Sequence, residues 1–138
     1  MAGKSDYLEN AALDHILTST SYTSPNATLY LSLHTGDPLD DDTGATEVDD
    51  VVDDTAYARQ SIAFAAASGG VSASNTAQTF TAVVYGTGAA PYVVTHVGIY
   101  DASTAGNLLY SQALSPNRTL SVGEIASFDS GATTVTED

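Results

Sequence analysis

The chain has 138 residues, 43% of them apolar, which suits one domain with a single buried core. It has no cysteine, so disulfides, thiolate metal sites and cysteine nucleophiles are excluded. Three Lys and Arg against 17 Asp and Glu give a net charge of −14, which disfavours nucleic acid as a partner, and no apolar run approaches the length of a membrane span.

Residues 6–18 show the one clear helical pattern. Asp6 followed by Glu9 reads as an N-cap with its capping-box partner. Leu8, Ala12 and Ile16 recur at i, i+4 and i+8, with Ala11 and Leu17 widening that face. So short a helix needs a surface to dock on, either its own sheet or a neighbouring subunit. Ser19 to Pro25 reads as the linker that ends it. Residues 1–25 thus form a helix-and-linker unit, and residues 26–138 a β domain. Met1 to Tyr7 lacks the apolar stretch of a signal peptide.

From Thr28 onward the period is two. Thr28 to His34 places Leu29, Leu31 and Leu33 on one face, as in a half-buried strand. Residues 37–54 then hold nine of the 17 acids, with Pro38 and Gly44, and read as one solvated acidic loop. Tyr57 to Phe64 alternates with Ile62 and Phe64 inward, and Ser68-Gly69-Gly70 is a turn. Further strands are expected at Gln78 to Tyr85 and at Tyr92 to Asp101, the densest in β-branched and aromatic residues. Ala102 to Asn107 connects the latter to an antiparallel partner, Leu108 to Leu114. Thr119 to Phe128 and Ala132 to Thr136 complete the set, split by Ser130-Gly131. The fold expected is mainly β: an antiparallel β-sandwich or barrel of about seven strands behind one short N-terminal α-helix.

Motifs for catalysis are missing. There is no G-x-S-x-G, no S-x-x-K and no glycine-rich phosphate loop, and no acid pair has the apolar surroundings that tune a glycosidase carboxyl. The chain reads as a non-enzyme without a cofactor. His15, His34 and His96 are scattered through a helix and strands, and read as ordinary structural histidines. Counted from Asp40, the fifth, sixth and twelfth positions of a calcium loop fall on Gly44, Ala45 and Val51, so the EF-hand pattern fails. The acidic loop is expected to bind hydrated cations diffusely. The sequons at Asn26 and Asn117 read as chance without a secretion signal. Thirteen of the acids are Asp, and Lys4 is the only lysine. Mutual repulsion of this kind is screened at molar salt, so the composition points to a halophilic setting. Against such a background Arg59 is expected to fork onto a carboxylate, within the fold or across an interface.

Several stretches, taken together, resemble a known family. They are Tyr7 to His15, Ala27 to Thr35 with Asp37-Pro38, Gly44 to Val48, Tyr57-Ala58-Arg59-Gln60, Thr95 to Asp101 with Gly106 to Tyr110, and Val122-Gly123-Glu124 with Phe128. This order resembles the small virion structural proteins of tailed viruses, often labelled tail-fibre or minor tail proteins, some of which look like capsid decoration (cement) proteins. The acids of residues 49–55 stand where the family has a glycine-rich link, as in an acidic member from a virus of haloarchaea.

The resemblance implies a virion component made in the host cytoplasm. The leading expectation is a decoration protein on the capsid surface, bound to the major capsid protein as a homo-oligomer, with a trimer favoured. The alternative is a tail component (tube-decorating, fibre or baseplate) bound to tail proteins. A receptor- or glycan-binding module is a further alternative, but most tyrosines fall inside expected strands. No membrane or nucleic-acid contact is expected. The interaction candidates are Leu8, Ala12 and Ile16 on the helix, and Tyr57, Arg59 and Gln60 in the family-like block.

Overall fold

The computed structural model describes residues 3–21 and 28–137. Its elements in chain order are β1 (Gly3–Lys4), α1 (Asp6–Leu17), β2 (Leu29–His34), β3 (Gln60–Ile62), β4 (Val71–Ala73), β5 (Gln78–Thr79), β6 (Tyr92–Tyr100), β7 (Leu108–Leu120), β8 (Ser127–Phe128) and β9 (Thr134–Thr136). The fold is mainly β with one short helix, as expected. A five-stranded antiparallel sheet runs in the order β1-β7-β6-β2-β3, and two antiparallel ribbons, β4-β9 and β5-β8, accompany it. The sheets do not close into a barrel.

The helix starts one residue earlier than its acids suggest. Ser5, not Asp6, is the N-cap: its hydroxyl oxygen accepts from the Leu8 N–H at 3.3 Å. The same hydroxyl donates to the Leu108 carbonyl, and the Ser5 N–H donates to Leu109 O at 2.9 Å. Capping and docking therefore share one side chain, and Asp6 and Glu9 serve the positive end of the helix instead. No residue of α1 is fully buried. The linker expected at residues 19–25 lies largely outside the described residues.

Sheet register explains the core. Leu31 pairs with Ile99 and Leu33 with Val97, so these four share one face. Ile62, Phe80, Val83, Val94 and Leu120 join their buried cluster. The opposite face of β2 is buried too, contrary to a half-exposed strand. Ser32 pairs with Gly98 and His34 with His96, and both Ser32 and His34 are inaccessible. Gly98 makes this possible, since a Cβ there would stand 2.8 Å from Ser32 Oγ and 3.0 Å from His34 Nε2.

Other strand expectations shift. Only Gln78–Thr79 of the 78–85 segment pairs as a strand, β5 with β8. The hairpin partner of β6 runs on to Leu120 instead of stopping at Leu114. It does so because the register slips between Val94, opposite Arg118, and His96, opposite Ala113, which leaves residues 114–117 without a partner in β6. The stretch expected as one strand from Thr119 to Phe128 is therefore split between the end of β7 and β8. β1 and β4 are too short to show a periodicity.

The acidic loop is not one solvated excursion. Val48 and Pro38 are buried, and Asp54 is 2% exposed. Asp37, Asp41 and Asp49 turn their carboxylates back onto the N–H groups of Leu39, Thr43, Val51 and Val52. Many of these acids thus act as local backbone acceptors that shape tight turns.

Candidate functional site

The most tightly built polar junction centres on Arg59, which stands just before β3. Its Nε donates to Glu47 Oε1 at 2.8 Å and its Nη2 to Glu47 Oε2 at 2.6 Å. Nη1 donates to the carbonyls of Ala102 at 2.9 Å and Ala105 at 2.7 Å. The guanidinium lies over the Tyr100 ring, 3.6 Å from its centroid, and its side chain is only 7% exposed. The carboxylate partner thus lies within the chain, and the fork, the carbonyls and the ring use the planar shape that lysine lacks.

Tyr57 stands two residues before Arg59 and reaches the same carboxylate. Its hydroxyl donates to Glu47 Oε1 at 2.8 Å and accepts from the Leu33 N–H at 3.1 Å. Burial alone would raise the Glu47 carboxyl, but the Arg59 fork and the Tyr57 hydroxyl outweigh it and hold it below its ordinary value. Tyr100 donates to Asp42 Oδ1 at 2.7 Å and stacks on His34, with centroids 6.1 Å apart. Burial raises both phenols, and the neighbouring carboxylates push them the same way. Three blocks of the sequence resemblance, residues 44–48, 57–60 and 95–101, therefore meet at one junction, joined by the carbonyls of Ala102 and Ala105. Gly44 belongs to it through a close approach, since its N–H donates to Pro38 O at 3.0 Å where a Cβ would collide with Asp37 O.

His34 sits beneath this junction. Its Nε2 is 2.8 Å from Ser32 Oγ and its Nδ1 3.3 Å from Thr46 Oγ1. Both hydroxyls spend their own protons on carbonyls, Ser32 on Gly98 O at 3.1 Å and Thr46 on Gly36 O at 3.0 Å. Burial lowers this imidazole to about 4, although Glu47 and Asp42 pull the other way. Asp37, near His34 in sequence, instead lies 3.9 Å from His96 Nε2. A second buried carboxylate, Asp54, accepts from Tyr92 OH at 3.0 Å and from the N–H groups of Ala56 and Val84 at 3.0 and 2.9 Å.

The six candidate residues fall in two places. Tyr57 and Arg59 are inside the junction, while Gln60 is at its rim, with its amide donating to Ala58 O at 2.9 Å. Leu8, Ala12 and Ile16 line a shallow hollow of about 150 Å³ on α1 with His15. Leu8 packs against the core, but Ile16 is 74% exposed. Glu47, Asp54 and Gly98 are the structural positions of this region that sequence reasoning did not single out. The i, i+2 spacing of Tyr57 and Arg59 was the available signal for a shared acceptor, whereas Asp54 was hidden within its acidic run. Among the described residues, no three His, Asp or Glu side chains gather as metal ligands would. Tyr7 is the only tyrosine among them that is strongly exposed, which leaves no cluster of rings for stacking on a sugar. Among the described residues, no helix is long and apolar enough to cross a membrane.

No curated protein matches the chain. The family described as podophage GP4 fiber I protein gp80 matches residues 3–136, which spans the helix, the junction and every strand, and the chain belongs to that family.

Proposed function

We propose that the chain is a non-enzymatic structural subunit of a phage tail, a fibre component that works through protein–protein contacts. The observation that carries this reading is the family match over residues 3–136, named for a fibre protein. It favours the tail alternative over capsid decoration. The polar chemistry supports a structural role, because Arg59, Glu47, Tyr57, Asp54 and Tyr92 all serve to hold segments of the fold together. Gold-labelled antibody on intact virions, with quantitative mass spectrometry of separated heads and tails, tests the assignment. The expected result is label confined to the tail. Label over the whole head, at a copy number comparable with that of the major capsid protein, would overturn it and restore the decoration reading.

A further inference from the structure

Two of the three Lys and Arg side chains are engaged inside the chain, Arg59 with Glu47 and Lys4 with Glu137 at 2.7 Å. Arg118, on the exposed far end of β7, makes no ion pair or hydrogen bond among the described residues. It stands at a cleft whose walls mix apolar and polar groups. One hollow of about 240 Å³ is lined by Val94, Pro116, Arg118, Leu120 and Ile125. A second, of about 220 Å³, is lined by Val97, Ile99 and the β9 threonines, and the two share Leu114 and Phe128. Ile125 is 53% exposed at the rim. An unpaired cation beside the apolar side chains of Val94, Pro116 and Ile125 suits a segment that offers an apolar side chain and a carboxylate together.

The chain itself offers such a segment. On α1, Leu13, Ile16 and Leu17 stand at i, i+3 and i+4 and therefore share a side. All are exposed, Leu17 to 73%; Ile16 also borders the hollow it shares with Leu8 and Ala12, while Leu13 and Leu17 lie on the side away from Leu8, which packs on the chain's own core. Glu9, one turn before Leu13, and Asp14 flank it, and neither side chain makes a hydrogen bond or ion pair. Nor does α1 fill its own chain's cleft. Ser5 ties it to the Leu108–Leu109 end of β7, and the cleft flanks the Leu114–Leu120 end.

We infer that the occupant is a second copy of this chain: the Leu13–Ile16–Leu17 stripe of one subunit enters the cleft of the next, with Glu9 and Asp14 beside Arg118. Charge complementarity selects this occupant, because the stripe is edged with carboxylates and the cleft holds the one unpaired cation on an otherwise acidic surface. Donor and acceptor are different surfaces, so the contact is heterologous. It closes into a ring, such as the trimer favoured from the sequence, or extends as a filament. The inference concerns the purified chain alone and does not depend on where it sits in the virion.

Sedimentation of the purified full chain in about 0.3 M salt, where long-range repulsion is damped but contact pairs persist, tests it. The wild type is expected to form an oligomer whose dissociation constant rises about tenfold or more in Leu17→Asp and in Arg118→Glu. Adding Glu9→Lys and Asp14→Lys to Arg118→Glu in the same chain should restore assembly. Because the chain has no cysteine, a mixture of Leu17→Cys and Ile125→Cys proteins should form the crossed disulfide on oxidation, a readout that leaves Arg118 and the helix acids in place. A wild type that stays monomeric at all concentrations would overturn the inference. So would an oligomer indifferent to both single substitutions, or folded cysteine variants that fail to cross-link.

Discussion

At the scale of single residues, Arg59 shows how one cation can organise a chain with a net charge of −14. Four of its N–H donors meet a carboxylate fork and two carbonyls, and its face meets an aromatic ring. A lysine would keep the charge but could not satisfy the fork, the carbonyls and the ring together. Arg59→Lys is therefore expected to cost about 2 kcal/mol in chemical denaturation, and Arg59→Ala about 3–5 kcal/mol, because Glu47 would be left half-buried without its partner. A lysine variant as stable as wild type would show that the fork contributes nothing. A fixed carboxylate partner for Arg59 was legible from composition alone, since an arginine surrounded by so many acids finds one. Which acid it takes was not legible, because Glu47 is brought close only when the loop folds back across β2.

At the scale of elements, β2 was read correctly on one face only. The leucine alternation marks the apolar face, but nothing in the order Ser32, His34 announces a buried polar one. That burial is imposed by Gly98 on β6 and by the loop above, both distant in sequence. The helix shows the same division, since its apolar spacing located it while tertiary bonds to β7 decided which residue caps it. The polar face of β2 has a consequence for acid stability. His34 is lowered to about 4 from the ordinary 6.5, so between these values the unfolded chain binds the proton and the folded chain does not. Stability is fully present above about pH 6.5 and is lost as pH falls toward 4, by up to about 3 kcal/mol for this group. Glu47, held below its ordinary value, adds a further loss below that window. The groups around the ring are Glu47, Asp42, Arg59 and His96, and the two acids soften the effect without reversing it. Denaturation midpoints measured from pH 7 to 4.5 should fall in the wild type and flatten in His34→Gln. Equal slopes in the two proteins would remove His34 as the cause.

At the scale of the whole molecule, the acid surplus divides into two populations with opposite effects. Asp54 and Glu47 are structural: each accepts several hydrogen bonds from groups it holds in place. Asp49 belongs with them, since its carboxylate accepts from the N–H groups of Val51 and Val52, both at 2.7 Å, and is held below its ordinary value by those bonds. Asp40 and Asp50 are exposed, and their side chains make no hydrogen bond or ion pair. Their charge only adds to the repulsion, which reaches about 10 Å at 0.1 M salt and about 3 Å at 1 M. The sign of the salt effect follows. Stability should rise by about 1 kcal/mol between those concentrations, and Asp40→Asn with Asp50→Asn should raise the low-salt value and shrink the difference. Asp54→Asn should do the reverse. Its carboxylate would be replaced by an amide that cannot accept at both oxygens, so stability should fall by about 1–3 kcal/mol at every salt concentration, with the salt dependence little changed. Thermal melts of the three proteins across a salt series decide the matter. If neutralising Asp40 and Asp50 leaves the salt dependence unaltered, the free acids are not its source, and the acid-rich composition reflects the turns it builds instead of the medium it faces.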